Sequence, residues 1–372
     1  MNLFAMSTCA VLTLGLASVC SAADPVASKD AEEKIAEVAV NGIKGAELKP
    51  YRIMSAGLDA FDEYRRLAPA AKLQFRLSKR GEANEFNGHW DDVTMRLAGN
   101  DTSIQIPIAH DGTFILPRNQ QAFDDDADLV LNQKKLLIRF SPDVRTPGIP
   151  ANARRLGDYR LECQVIVGIG KKELNFAQRM AINTFMMGGD WCSRGAGKFG
   201  FSLPDKVVSA TIFHDGKRLA VPASAYQVVP PIQDRSIPDD ALIEFEFWSA
   251  ASVERKKQFF SQWPVNLKTS ANKWGSAFPL RLKENSRYST EIPLKPGKWE
   301  FHLDSKGGEI SLGTSHADTP VVPGVDHAVQ WHWKNLTLNI EQAGLYELSL
   351  NVQDPDRPVV HVRRTDVAFS AP

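Results

Sequence analysis

From Lys334 to Arg363 the chain reads K-N-L-T-L-N-I-E-Q-A-G-L-Y-E-L-S-L-N-V-Q-D-P-D-R-P-V-V-H-V-R. Leu336, Leu338 and Ile340 alternate with polar neighbours. After Ala343-Gly344 the alternation resumes, with Tyr346, Leu348, Leu350 and Val352 against Leu345, Glu347, Ser349 and Asn351. A period of two marks a half-buried strand, because successive side chains of a strand point to opposite faces. An Asp354-Pro355-Asp356 turn follows, and Pro358 opens a short last strand filled by Val359, Val360 and Val362. The end of the chain is therefore read as antiparallel β structure.

The same string resembles the close of the small β-sandwich accessory modules of bacterial pullulanases and of related outer-membrane starch-binding proteins. Those modules end on a "G-N-L-x-L … A-G-x-Y-x-F-x-L-D-A-x-x-P-x-x-P-x-L-x-V" phrase. Leu294-Lys295-Pro296-Gly297-Lys298-Trp299-Glu300-Phe301 is similar to their "L-x-x-G-x-Y-E-F-K", and Leu312-Gly313 to a later "L-G". The likeness covers residues 258–365. It implies an immunoglobulin-like sandwich with carbohydrate-binding capacity. Leu303-Asp304-Ser305-Lys306 stands where that family carries a further aromatic.

With 372 residues the chain exceeds one average domain, and two or three are expected. The formal net charge is zero, and no basic cluster is interleaved with aromatics, which argues against a nucleic-acid partner. Residues 1–23 read as a signal peptide, with an apolar stretch from Ala10 to Val19 and small residues Ser21-Ala22-Ala23 at its end. A periplasmic or secreted protein is expected; Cys20 gives the alternative of an outer-membrane lipoprotein, although Val19 replaces the small residue that a lipobox prefers. No later stretch reaches the roughly twenty apolar residues of a transmembrane helix. Cys163 and Cys192 remain after cleavage, and in an oxidising compartment such a pair is read as a disulfide, the alternative being two free buried thiols.

Along the chain, 24–170 reads as a helix (29–43) followed by a β-sandwich domain. A further helix is expected over 58–67, and strands at 72–78, 93–97, 103–109, 113–116, 129–131, 135–140 and 159–168. A helix over 171–187 then enters a second β-rich region, 171–250, either separate from the first domain or part of it. Strands at 206–214 and 217–221 form a hairpin over Asp215-Gly216, and 241–248 is another strand. The polar stretch 250–257 reads as a linker. The fold class is thus mainly β: two or three β-sandwich domains with a few short helices. Around residues 93–117 the phrase through Asp111-Gly112 to Leu116-Pro117 is also similar to transthyretin-like sandwiches. His110-Asp111-Gly112 and His214-Asp215-Gly216 echo each other, either as paired His-Asp sites or as two hairpins over Asp-Gly turns.

The chain carries no G-x-S-x-G elbow, H-E-x-x-H helix, phosphate loop or dinucleotide fingerprint, and no cofactor is implied. His327 and His332 fall on opposite sides of a strand and lack a further ligand. Asp124, Asp126 and Asp128 begin like a calcium loop, but Leu129 and Lys135 stand where it needs Gly and Glu. No metal site is read. Glu244, Glu246 and Glu300 cannot be paired for glycoside cleavage from sequence. No catalytic residue is assigned. The segment 188–198, rich in glycine around Trp191, reads as an exposed binding loop or as a connection anchored by the disulfide.

Aromatics remain. Trp263, Trp274, Trp299, Trp331 and Trp333 all lie in the last third. Trp331 and Trp333 share a face if this is a strand; with Lys334 and Asn335 they would make a flat platform with polar groups at its rim, or else sandwich core. Trp299 reads as core. The leading expectation is an exported, non-catalytic protein that binds polysaccharide, α-glucan above all. The alternatives are a structural or partner-binding cell-envelope protein, and a hydrolase with a site in 60–250.

Overall fold

The computed structural model describes residues 45–79, 89–175, 190–194, 199–224, 226–275, 277–314, 320–331 and 334–365, with isolated positions between 177 and 184. The leader at 1–23, the helix at 29–43, His332, Trp333 and most of 176–189 and 195–198 lie outside the described residues. The chain is mainly β, and its described residues form antiparallel sheets around three apolar cores.

Among the described residues the first core is enclosed by two sheets and three helices. Strand 46–50 pairs with 128–134, which pairs with 95–98 and then 103–106; a second sheet joins 113–114, 72–79 and 138–145. Helix α1 (Tyr51–Glu63) starts directly after Pro50, seven residues before the expected 58, and a 3₁₀ turn at Arg65–Leu67 follows it. The short α2 (Gln120–Asp124) is capped by Asn119, whose side chain accepts from the Ala122 N–H. Asp111-Gly112 is a turn closed by Ala109 N–H on Thr113 O (2.7 Å), but its flanking strands enter different sheets, so it is not a hairpin. The second echo, at Asp215-Gly216, does join a regular hairpin, with both residues at positive φ.

The segment 159–168 is not a strand. It lies inside α3 (Leu156–Glu173), and so the 170/171 division falls within a helix. Leu161, Val165 and Ile169, four apart, face the first core, while Leu156, Tyr159, Cys163 and Val167 face the second. A helix buried on two sides loses its single apolar stripe. The polar residues between are buried as well: Arg160 donates to Ile232 O (3.0 Å), and Gln164 to Asp190 Oδ1 (2.7 Å). The result mimics strand alternation. Helices α1 and α3 approach closely at Gly57 and Gly168; a Cβ on Gly168 would lie 2.8 Å from that of Ala60.

The second core sits under a sheet of order 217–220, 207–214, 242–247, 153–155, with a small sheet of 223–224, 227–228 and 201–202 beside it. Within it, Cys163 of α3 and Cys192 of α4 (Trp191–Arg194) are joined by a disulfide with Cα atoms 5.8 Å apart.

The third core is a sandwich. One sheet runs 278–279, 266–269, 297–304, 311–313, 330–331, with 336–340 also on 297–304; the other runs 281–282, 287–294, 344–351, 359–364, 326–328. The quoted C-terminal stretch supplies 336–340, 344–351 and 359–364, each sending alternate side chains inward. Residues 250–257 are not a linker. They enter α5 (Val253–Gln262), capped by Ser252, and its Phe259 and Phe260 are buried in this core. Val208 and Trp248, which precede residue 258, belong to the same core.

Candidate functional site

On the strand 297–304, Phe301 and Leu303 are buried, so Glu300, His302 and Asp304 stand on the opposite, outer face. Opposite them the chain leaves strand 266–269 through a 3₁₀ turn (Ser270–Asn272). Lys273 and Trp274 then adopt left-handed backbone angles, φ 57° and 60°. Neither residue type favours that region, and such strain, about 1–3 kcal/mol per residue, persists only where the surroundings impose it. Here the Trp274 N–H is held by Thr269 O (3.1 Å), and the Glu300 N–H by Ser270 Oγ (2.8 Å).

The strained turn presents Trp274 with 41% of its surface exposed. The indole stacks on the His302 imidazole, with centroids 5.7 Å apart and planes inclined by 25°. His302 Nδ1 lies 3.0 Å from Asn335 Oδ1, and the Asn335 amide donates to Glu300 Oε2 at 3.0 Å. On its other side His302 Nε2 is 3.7 Å from Asp304 Oδ2, which Lys268 also pairs. Burial works against the Asp304 carboxylate, but His302 and Lys268 outweigh it and hold its pKa below the usual range. A half-exposed indole thus lies against an imidazole that is flanked by the Asn335 amide and the Asp304 carboxylate, with Glu300 bound to the first and Lys268 paired with the second. Flat apolar surface beside fixed donors and acceptors suits a polyhydroxylated ring, whose faces are C–H and whose edges are hydroxyl.

Of the residues read as a platform, Asn335 lies in this cluster. Trp331 does not form an open face: its ring packs on Trp248 (5.1 Å between centroids), Phe260 (5.6 Å) and Phe259 (6.2 Å). Trp333 lies outside the described residues. Lys334 is half-buried and offers its carbonyl to Thr314 N–H (3.1 Å). Trp299 packs on the sandwich core, its Nε1–H on Lys295 O (2.9 Å). Trp274 and His302 are the residues that the platform reading missed. Their meeting joins positions 28 apart in sequence and depends on the pairing of Lys268 with His302 across neighbouring strands.

In the region 60–250 a strongly perturbed ionisable cluster centres on the buried Arg154, Glu162 and Asp143. Arg154, 1% exposed, is paired with Glu162 and donates to Val144 O (2.7 Å). Asp143 lies between Arg76 (3.0 Å) and Arg145 (2.7 Å); burial opposes its charge, but Arg154, Arg145 and Arg76 together hold its pKa far below the usual carboxylate range. Perturbed groups often mark active sites; here they tie α3 to strand 138–145, where Glu162 accepts from the Val144 N–H (2.8 Å) and Arg154 donates to its carbonyl. Among the described residues no group of three or more His, Cys, Asp or Glu is placed to hold a metal ion, and no helix is long and apolar enough to cross a membrane.

No family model and no curated protein matches the chain. A solved structure described as the ligand-induced structure of AmyP-SBD shows a weak likeness: 18% identity, 27% of this chain, 72% of that chain, and a TM-score of 0.22.

Proposed function

We propose that this chain is an exported, non-catalytic polysaccharide-binding protein that holds α-glucan on the outer face of its C-terminal sandwich, with Trp274 as the platform. The observation that carries this is the half-exposed indole, fixed on a strained turn and backed by His302. Asn335, Glu300 and Lys268 supply hydrogen-bond partners for hydroxyls within that face, so that polar groups of the site are not stranded when water leaves. The choice of α-glucan follows the resemblance of residues 258–365 to pullulanase-type modules. Export is supported by the reading of residues 1–23 as a signal peptide and by the bridge between Cys163 and Cys192.

The test is affinity electrophoresis in amylopectin gels. The wild type should be retarded in proportion to polysaccharide, and Trp274→Ala should migrate as in plain gel while keeping its melting temperature. Unretarded wild type at every concentration would overturn the glucan reading and turn attention to a partner-binding role in the cell envelope.

A further inference from the structure

We propose that Asp215 is a site of covalent modification, where the Gly216 amide and the Asp215 carboxyl close a cyclic imide that reopens to isoaspartate, and that the fold withholds the same reaction from Asp111. Glucan binding plays no part in it.

Both residues sit in a His-Asp-Gly tripeptide, 110–112 and 214–216, so their local chemistry is alike. In the imide-forming step the glycine nitrogen attacks the aspartate side-chain carbon. A C–N bond forms, and one carboxyl oxygen leaves as water with the amide hydrogen and the acid proton. Water then adds to the imide. Opening at the main-chain carbonyl routes the backbone through the side chain, with no net change in atoms. The reaction needs an uncommitted nitrogen, an uncommitted carboxyl and room for the peptide to turn; a glycine serves it because no Cβ hinders the approach.

At Asp111 all three are denied. The Gly112 N–H donates to Ala109 O (2.8 Å). Asp111 Oδ1 accepts from Thr113 N (3.1 Å) and Thr113 Oγ1 (2.7 Å), and Oδ2 lies 3.4 Å from Arg76 Nη1. Gly112 also packs on Trp90, where an added Cβ would lie 2.9 Å from the indole. At Asp215 all three are met. The Gly216 N–H has no acceptor among the described residues, and a Cβ on Gly216 would meet nothing within 4 Å. The Asp215 side chain is 84% exposed, and its one polar contact among the described residues joins Oδ2 to His214 Nε2 at 3.3 Å. Asp215 and Gly216 hold φ 49° and 70° at the tip of a hairpin whose closing pair is His214 and Lys217. Isoaspartate inserts a further main-chain atom into this two-residue turn, whose backbone angles set the pairing of its strands. The strand 217–220, exposed at every residue and at the edge of its sheet, should then loosen from 207–214.

The experiment ages the purified full chain near neutral pH, folded and in urea, and maps isoaspartate by methyltransferase labelling, each site being read on its own peptide. In urea the two tripeptides should convert at comparable rates. In the folded chain isoaspartate should accumulate at 215 and stay at its starting level at 111. Asp215→Asn, whose amide is more readily displaced at that pH than a carboxylate, should convert faster through the same imide with loss of ammonia, and Asp215→Glu should leave the peptide unlabelled. Trypsin should cut the aged folded chain after Arg218 sooner than the fresh chain. Conversion at 111 that keeps pace with 215 in the folded chain overturns the protection. No conversion at 215 in the folded chain, when the unfolded chain converts there, overturns the site. Unchanged cleavage after Arg218 in chain that has converted overturns the loosening of the edge strand.

Discussion

The amino group of Lys206 lies 3.5 Å from the centre of the Trp331 ring and 3.7 Å from that of Trp248. Lys206 and Trp248 end paired strands of the middle sheet, where Lys206 O accepts the Trp248 N–H at 2.7 Å; Trp331 belongs to the C-terminal sandwich. Beside them, Asp356 accepts from Trp248 Nε1 (2.6 Å) and pairs with Lys256 of α5 (2.7 Å). One cation between two indoles therefore joins the second core to the third.

This arrangement makes stability depend on pH. Lys206 is 5% exposed, and burial pushes its pKa down to about 7, with Asp356 and Asp205 pulling upward and Lys256 adding to the depression. An unfolded lysine titrates near 10.4. Between about 7 and 10 the unfolded chain holds a proton that the folded chain lacks, so stability rises with pH across that window; below 7 both states are charged and the gain is absent. The two indole faces favour the ammonium and offset part of the effect, leaving on the order of 1–3 kcal/mol. Urea midpoints of wild type and Lys206→Met between pH 6.5 and 10 check this. Their difference should change with pH, and parallel profiles would contradict it.

The bridge between Cys163 and Cys192 closes a loop of sequence separation 29 between α3 and α4. Cross-links of this span stabilise by about 3 kcal/mol, chiefly by restricting the unfolded chain. The Cys163→Ala, Cys192→Ala double variant should melt lower than the oxidised wild type, and wild type unfolded under reducing conditions should show a comparable loss. Peptide mapping without reductant should find both thiols blocked; two alkylatable thiols would contradict the bridge in the isolated protein.

The C-terminal sandwich was legible in the sequence because its strands bury one face each, and Leu336 to Val362 alternate as that requires. Helix α3 was not, since its intervening Arg160, Glu162 and Gln164 are buried as fully as its apolar residues, and only their distant partners, Asp239, Arg154 and Asp190, make that tolerable. The polar start of α5 hid Phe259 and Phe260 at its far end. In the site, Asn335 could be found from its place beside a strand. Trp274 could not be told from the other tryptophans, because its exposure is set by left-handed angles at Lys273 and Trp274 themselves and not at the adjacent Gly275.

Trp274 and Trp331 should respond to substitution in opposite ways. Trp331 contacts Trp248, Phe259, Phe260 and Lys206, so Trp331→Ala leaves a cavity in an aromatic cluster and a cation with one ring fewer. Loss of a packed tryptophan costs roughly 3–5 kcal/mol, and the melting temperature should fall steeply. Trp274 is half-exposed at φ 60°, a backbone angle that glycine adopts without strain. Trp274→Gly should therefore leave stability unchanged or raise it by up to about 1 kcal/mol, although the loosened unfolded chain works against the gain. Retention in amylopectin gels should disappear in that variant and persist in Trp331→Ala below its melting temperature. Such an exchange of stability for binding is expected where backbone strain serves a ligand surface. A marked fall in the melting temperature of Trp274→Gly would show that the ring is a structural support, and retained migration shifts in that variant would place the glucan surface elsewhere on the sandwich.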